Sequence, residues 1–214
     1  MSMSEIALST STSRLGYQAL LLGAVCGIAG LLLVAGDIST RETIARHAAV
    51  EERERLAQVL PATLHDNDPL QEREVLTGAS TAATEGFDAP VTVMTARLQG
   101  RISARVYRTS VRGWGGAIEL LVSVRGNGEV SGVRVISHHE TPGLADRIEI
   151  EKDAWISGFA GRSLTNTPAS RWAVRKDGGD FDQFTGATIT PRAVVRGVYQ
   201  TVRLHATLPK EEKP

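Results

Sequence analysis

The chain has 214 residues, 24 of them Lys or Arg and 24 Asp or Glu, so it carries no formal net charge and no basic field of the kind that holds nucleic acid. Its single cysteine, Cys26, lies in an apolar run, which excludes an intramolecular disulfide framework and a cysteine-built zinc or iron–sulfur site within this chain. With an N-terminal anchor set aside, roughly 150–170 residues remain, enough for one domain with its own core.

Residues 1–14 are polar and Ser/Thr-rich and read as a disordered tail. Residues 15–35, LGYQALLLGAVCGIAGLLLVA, follow without a charge; these 21 residues match the length of a bilayer-crossing helix, placed at 15–36. A cleaved signal peptide is the competing reading, but its apolar region is usually about 7–15 residues and ends at an A-x-A-like site. A buried core helix is a third reading. Gly23 and Gly27 form a G-x-x-x-G face along which helix backbones approach in lipid, although glycine is frequent in such helices anyway. Arg14 on one side and Arg41 and Arg46 on the other leave orientation undetermined by charge and lean slightly against an exported C-terminal part.

Asp37 to Leu60 has helical spacing, with Ile44, Ala48, Leu56, Val59 and Leu60 recurring among charges, Thr40 as a cap and Pro61 as a stop. Residues 37–86 are thus expected to be a helical stalk and connection. Its second half, His65 to Gly86, is polar, patternless and interrupted by Pro69 and Gly78.

From Val91 the period changes to two. Val91 and Val93, then Ile102, Ala104 and Val106, alternate with polar residues and predict strands. Gly113-Trp114-Gly115-Gly116 is a glycine-rich turn, and Ile118 to Arg125 is a partly buried strand. Asn127-Gly128 predicts a two-residue hairpin turn into a strand through Val130, Val133 and Val135. These elements open one α+β domain at 87–208.

His138-His139-Glu140-Thr141-Pro142-Gly143-Leu144-Ala145-Asp146-Arg147 leaves the last strand through a Pro-Gly turn. Two histidines and a glutamate suggest a metal. A catalytic metal site needs about three well-placed ligands, however, and adjacent strand residues face opposite ways, so none is assigned. Arg147 to Phe159 reads as a short helix. Thr165 to Gly179 reads as loop with a strand at Arg171–Val174, and Trp172 as core packing rather than a ring stacked on a cofactor.

The stretch from Asp182 to Pro191 organises the rest. Gly186 can take a positive φ, and Thr185, Thr188 and Thr190 place three hydroxyls within six residues. Pro191 suits the first position of a helix and Thr190 its N-cap. A helix N-terminus suits phosphate, so the residues read either as an ordinary turn and cap or as hydroxyls beside an anion site. The helix is predicted from Pro191 to Leu204, with Val194, Val195, Val198, Thr201 and Val202 inward and Arg192, Arg196 and Arg203 outward. Residues 209–214 form a charged tail expected to be mobile.

The apolar helix, the Gly113–Gly116 turn, HHETPGLADRIE at His138–Glu149 and FDQFTGATITPRAVV at Phe181–Val195 together resemble the G subunit of the Rnf-type electron transport complex, called Rsx in some bacteria. The last segment is similar to that family's flavinylation motif, Asp-x-x-Ser/Thr-Gly-Ala-Thr/Ser, here Asp182, Thr185, Gly186, Ala187 and Thr188. The C subunit of the sodium-translocating NADH:quinone reductase carries a similar motif, but the short chain and the flanking residues favour the Rnf-type protein. One residue departs from the pattern: Ala145 stands where the family usually has glycine, a restriction on the backbone there.

The resemblance implies FMN joined through its phosphate to the hydroxyl of Thr188, with Thr185, Gly186 and Ala187 around it. A separate flavin transferase would make the bond from FAD and recognise Asp182. Glu140, Thr141, Gly143 and Leu144 would form an opposing loop over the flavin. The resemblance further implies no catalytic residue of the chain's own, a periplasmic domain on the bacterial inner membrane, and membrane and iron–sulfur partner subunits. The implied role is electron transfer between ferredoxin and NAD coupled to ion movement or, in Rsx-type systems, keeping a redox-sensing regulator reduced. Two other readings are an anchored scaffold without a redox role and a free-standing flavin reductase; the latter is weakened by the lack of a G-x-G-x-x-G signature.

Overall fold

A computed structural model of the chain describes residues 3–76 and 86–209, with side chains from Tyr17 onward except those of residues 42 and 45. The expected break at Gly78 and nearly all of the C-terminal tail lie outside the described residues. The chain divides into two compact units, Met1–Glu51 and Glu52–Pro214.

The first unit is helix. Helix α1 spans Met3–Val59 and passes without a break through the polar start that composition marked as disordered. Ser and Thr cost only a few tenths of a kcal/mol each in a helix, about what propagation from an existing apolar helix overcomes. Leu20, Leu21, Leu22, Val25, Ile28, Leu31, Leu32, Leu33 and Val34 are all exposed. Such a helix has no single face to bury in a protein core, and it is long and apolar enough to cross a membrane. Thr40 does not cap a second helix: its hydroxyl donates to Gly36 O at 2.8 Å, inside the continuous α1.

The second unit is built on a five-stranded antiparallel meander. Its strands are β1 (Arg73–Leu76), β2 (Val91–Leu98), β3 (Arg101–Arg112), β4 (Ala117–Arg125) and β5 (Val130–Ser137), neighbours in chain order. Alternation sends successive side chains to opposite faces. Val91, Val93, Tyr107, Val111, Ile118, Leu120 and Val122 face the main core, where Val194, Val195, Val198 and Val202 of helix α2 (Ile189–Thr207) meet them. Met94, Ala96, Ala104, Val106 and Leu121 face a smaller core.

That smaller core is closed by Leu56, Val59 and Leu60, the end of the expected stalk. A Cβ on Gly132 would lie 2.9 Å from Val59 Cα, so the last turn of α1 rests directly on β5, and Ser131 Oγ donates to Val59 O at 3.0 Å. The folded domain therefore begins near Glu52 rather than at residue 87. Strand β1 also falls in the segment read as patternless. It is an edge strand with only Leu76 buried, so it has no apolar alternation to read.

Four local expectations are corrected. The Asn127-Gly128 hairpin is longer than two residues: Arg125 pairs with Glu129, Gly128 N donates to Arg125 O at 2.8 Å, and Gly128 sits at φ 88°, a turn closed by a glycine bulge. The helix expected over 147–159 is two 3₁₀ turns, Asp146–Ile148 and Ala154–Phe159, because Asp153 turns its carboxylate onto Trp155 N at 3.0 Å and restarts the chain. In place of a strand at 171–174 there is a 3₁₀ turn, Ala169–Arg171, and one isolated bridge between Val174 and Phe181. Trp172 itself is buried in the main core, as expected. Helix α2 begins at Ile189 with Thr188 in the N-cap position, so Thr190 is inside the first turn and is not a cap. Pro191 remains tolerated there because first-turn N–H groups have no partner in the helix.

Candidate functional site

Three segments converge at one end of the main core. They are the Gly113–Gly116 turn between β3 and β4, the loop after β5, and the run from Phe184 into α2. Between them lies a cleft of about 180 Å³ lined by Trp114, Thr141, Leu144, Ala145 and the five residues Gly186 to Thr190.

The third segment is shaped by a tight turn. Ala187 N donates to Phe184 O at 3.1 Å, and Gly186 takes φ 81°, the left-handed position such a turn reserves for glycine. A Cβ at Gly186 would stand 3.2 Å from Leu144 Cδ1, so the two loops touch here. Phe184 is buried beneath the turn, with Trp155 edge-on at 5.2 Å and the Arg147 guanidinium 5.0 Å over its ring.

The three threonines part company. Thr190 is buried and its hydroxyl donates to Glu140 Oε2. Thr185 is exposed and outside the cleft. Thr188 is half-buried in the cleft wall at the start of a 19-residue helix, and its side chain makes no capping bond. First-turn N–H groups and the positive end of the helix dipole lie at the same place.

The loop after β5 is held from behind by a closed ring of polar groups. Gly143 N donates to Asp146 Oδ2 at 2.8 Å. Lys152 Nζ donates to that same oxygen at 2.8 Å and to Glu149 Oε1 at 2.9 Å. Glu149 meets His138 Nε2 at 2.8 Å, and His138 Nδ1 accepts from Glu140 N at 3.1 Å, which leaves the ring proton on Nε2. The Lys152 ammonium, then the Gly143 amide, hold the Asp146 carboxyl below the usual range. Lys152, then His138, do the same for Glu149. Asp146 in turn raises Lys152, with Glu149 second.

These directions set a pH window. The lowered carboxyls stabilise the folded loop fully above their unfolded values of about 4, and that contribution is lost as pH falls through their folded values. The raised lysine contributes below about pH 10 and loses its part as pH rises through its folded value. Amide exchange at Gly143 is therefore expected to be slow and nearly flat, after correction for intrinsic rates, from about pH 5 to 10 and to accelerate on acidification. Unchanged protection at pH 3 would show that the ring does not hold the loop.

Comparison with known proteins bears directly on this cleft. The FMN-binding domain family matches residues 113–203, from the turn that carries Trp114 into α2. The G subunit of the ion-translocating oxidoreductase complex of Stutzerimonas stutzeri is 43% identical over 200 residues, covering 92% of this chain and 83% of its own. The protein of the same description from Cereibacter sphaeroides strain ATCC 17023 is 47% identical over 185 residues, with 86% and 81% covered. That of Pseudomonas aeruginosa strain PAO1 is 47% identical over 188 residues, with 87% and 86% covered. The chain belongs to the RnfG family of ion-translocating oxidoreductase complexes. Its general role is that of an RnfG-type electron-transfer subunit of a multi-subunit membrane complex, with an FMN-binding domain and, among the described residues, one helix that spans the bacterial inner membrane.

The RnfG resemblance singled out nine residues, and the structure treats them differently. Thr141, Leu144, Gly186, Ala187 and Thr188 line the cleft. Gly143 supports its loop through the backbone, and Glu140 is buried with its carboxylate turned away into the protein. Thr185 lies outside the cleft. So does Asp182, which is exposed, pairs with Arg175 at 3.0 Å and accepts from Trp155 Nε1 through its carbonyl at 2.8 Å. Ala145 sits at φ −106° and ψ −12°, an ordinary right-handed conformation, so replacing the family's usual glycine restricts nothing. Sequence reasoning did not assign Trp114, Ala145 or Ile189 to the site, and it read Thr190 only as a cap or a hydroxyl beside an anion site. For Trp114 a signal was present: an indole among three glycines on a turn has no core to enter, and it is 71% exposed.

The residues present fit FMN. An unengaged hydroxyl at a helix N-terminus suits the phosphate, and an exposed indole with Leu144 and Ile189 beside it suits a flat aromatic ring.

Proposed function

We propose that this chain carries FMN covalently on Thr188 and relays electrons through it on the periplasmic face of the complex. The observation that carries the reading is the division of labour among the threonines. Of Thr185, Thr188 and Thr190, only Thr188 combines a place in the cleft wall with a hydroxyl that has no hydrogen-bond partner among the described residues, and unlike Thr141 in the opposite wall it stands at the head of α2. In the attachment step the Thr188 oxygen bonds to the FMN phosphorus of FAD, the pyrophosphate bond breaks, AMP leaves and the hydroxyl proton is lost. A separate flavin transferase performs it, and the exposed Asp182 carboxylate beside the loop is accessible for recognition.

Bound flavin supplies one- and two-electron transfer, and the protein adjusts it through hydrogen bonds, charge and burial. The chain's own residues position and shield. Trp114 would offer a face to the ring, Leu144 and Ala187 would exclude water beside it, and the first turn of α2 would receive the phosphate. The cleft is smaller than the roughly 300–1,000 Å³ that encloses a whole small-molecule ligand. A cleft of this size would not enclose a whole flavin, which would give the ester a purpose: it would retain a carrier that the cleft alone does not hold. The partners are the membrane and iron–sulfur subunits, and the electrons move between ferredoxin and NAD coupled to ion movement, or serve to keep a regulator reduced in Rsx-type systems.

Mass spectrometry of the tryptic peptide Asp177–Arg192, from protein purified from its native host, tests this. The expected result is an FMN-minus-water increment that fragment ions place on Thr188. A bare peptide leaves the chain as an anchored scaffold, and an increment on Thr185 moves the site out of the cleft.

A further inference from the structure

We infer that Glu140 is the positioning residue of the cleft, a buckle that fixes Trp114 and the first turn of α2 relative to each other without touching the flavin. The inference rests on the reading of Thr188 as the attachment point and reassigns a residue the family pattern placed over the ring. Glu140 is buried, and each part of it reaches a different segment. Oε1 accepts from Gly115 N at 2.9 Å, in the turn that carries Trp114. Oε2 accepts from Thr190 Oγ1, two residues past Thr188. Its own N–H donates to His138 Nδ1 at 3.1 Å, the end of the ring behind the opposing loop. One residue thus joins all three walls.

The glycines around Trp114 follow from this. A Cβ on Gly113 would stand 2.4 Å from Glu140 Oε1, and one on Gly115 would stand 1.9 Å from His139 O. Both positions are cleared for the loop that brings Glu140 in. The Trp114 indole is exposed and has no packing to locate it, so its place is set through the turn's backbone: Gly113 N to Gly116 O at 2.8 Å closes the turn, and Glu140 ties it down.

A buried carboxylate is a costly way to gain stability alone. Here it is offset by two hydrogen bonds and by the N-terminus of α2, and no basic side chain pairs with it among the described residues. An apolar residue would fill the same space, but it could not hold an amide and a hydroxyl from two separate segments at once. The distance between the stacking wall and the tether is what the carboxylate secures.

The test uses the full-length flavinylated protein with Glu140→Ala, Glu140→Gln and Thr190→Val. Glu140→Ala and Thr190→Val are expected to keep the flavin on Thr188 by mass. They should nevertheless lower flavin fluorescence anisotropy, raise its emission as the Trp114 indole ceases to quench it, and speed amide exchange over residues 113–116. For Glu140→Ala the exchange gain is about tenfold or more, the loss of one hydrogen bond to a charged group. Glu140→Gln should restore all three, because its amide oxygen can accept from Gly115 and its NH₂ can donate to Thr190 Oγ1. Wild-type anisotropy and exchange in Glu140→Ala overturn the inference, and so does a Glu140→Gln protein as loose as the alanine variant. If Glu140→Ala does not fold, the contrast between Thr190→Val and Glu140→Gln decides in the same way. If the wild-type chain carries no flavin, the Thr188 reading fails while exchange over residues 113–116 still decides the role of Glu140.

Discussion

Replacing Thr188 with Val is expected to leave a folded protein with no covalent flavin. Valine keeps the shape of threonine and removes only the oxygen. That oxygen makes no capping bond at the head of α2, so folding loses no hydrogen bond with it. The residue is half-buried at φ −77° and ψ −23°, which valine tolerates. The stability change should stay within about 0.5 kcal/mol, the usual range for substitutions that break no buried contact. Loss of flavin, by contrast, is all or none, because an ester cannot form without its oxygen. Thr185→Val and Thr190→Val are the controls. The first alters an exposed side chain outside the cleft, and the second removes a buried hydroxyl already engaged by Glu140; both should remain yellow after denaturation. Flavin fluorescence of the denatured polypeptide on a gel and its intact mass read the result. Retention of the cofactor in Thr188→Val would falsify the assignment and move the acceptor to one of the other two threonines.

What the chain reveals without coordinates follows the range of its interactions. The period-two runs at Val91–Val93 and Ile102–Val106 and the valine stripe of α2 are local patterns created by a buried face, and they were legible. Leu56, Val59 and Leu60 were legible as one helical face, but nothing within reach of them in sequence names the surface they cover. That surface is the far side of the sheet, on Met94, Ala104 and Leu121. Strand β1 was invisible because only its last residue is buried; its order comes from pairing with β2. At the site the motif around Thr188 stood out, while the reasons for its chemistry did not. Thr190 looked like a cap because Pro191 follows it, and only Glu140, fifty residues earlier, draws its hydroxyl inward. Glu140 itself looked like a ligand or a metal residue because its partners, Gly115 N and Thr190 Oγ1, come from distant segments.

Phe159→Ala is expected to carry the largest stability cost, about 3–5 kcal/mol, the range for deleting a fully buried aromatic ring. Phe159 has no exposed surface, and its ring lies 4.4 Å from Phe181 in a stacked pair and 5.4 Å from Trp155 edge-on. Trp172 stacks more distantly at 6.5 Å. The neighbours cannot collapse inward easily, because Trp155 is tied to Asp182 O and Trp172 to Thr167 O by their indole N–H groups. For a domain of this size the thermal midpoint should fall by roughly 10 °C. The consequence reaches the site through one further contact, since Trp155 is also the edge-on support of Phe184, the first residue of the turn that presents Gly186 and Thr188. At low temperature the variant should still accept flavin, because Thr188 and its helix remain, but the ring should be less ordered and its fluorescence anisotropy lower. Thermal unfolding monitored by circular dichroism, with flavin anisotropy followed alongside, separates the two effects. A midpoint within a few degrees of wild type would mean that the aromatic stack does not hold up the floor of the cleft. A large drop with unchanged anisotropy would place the support of the Phe184 turn in the Leu144 contact instead.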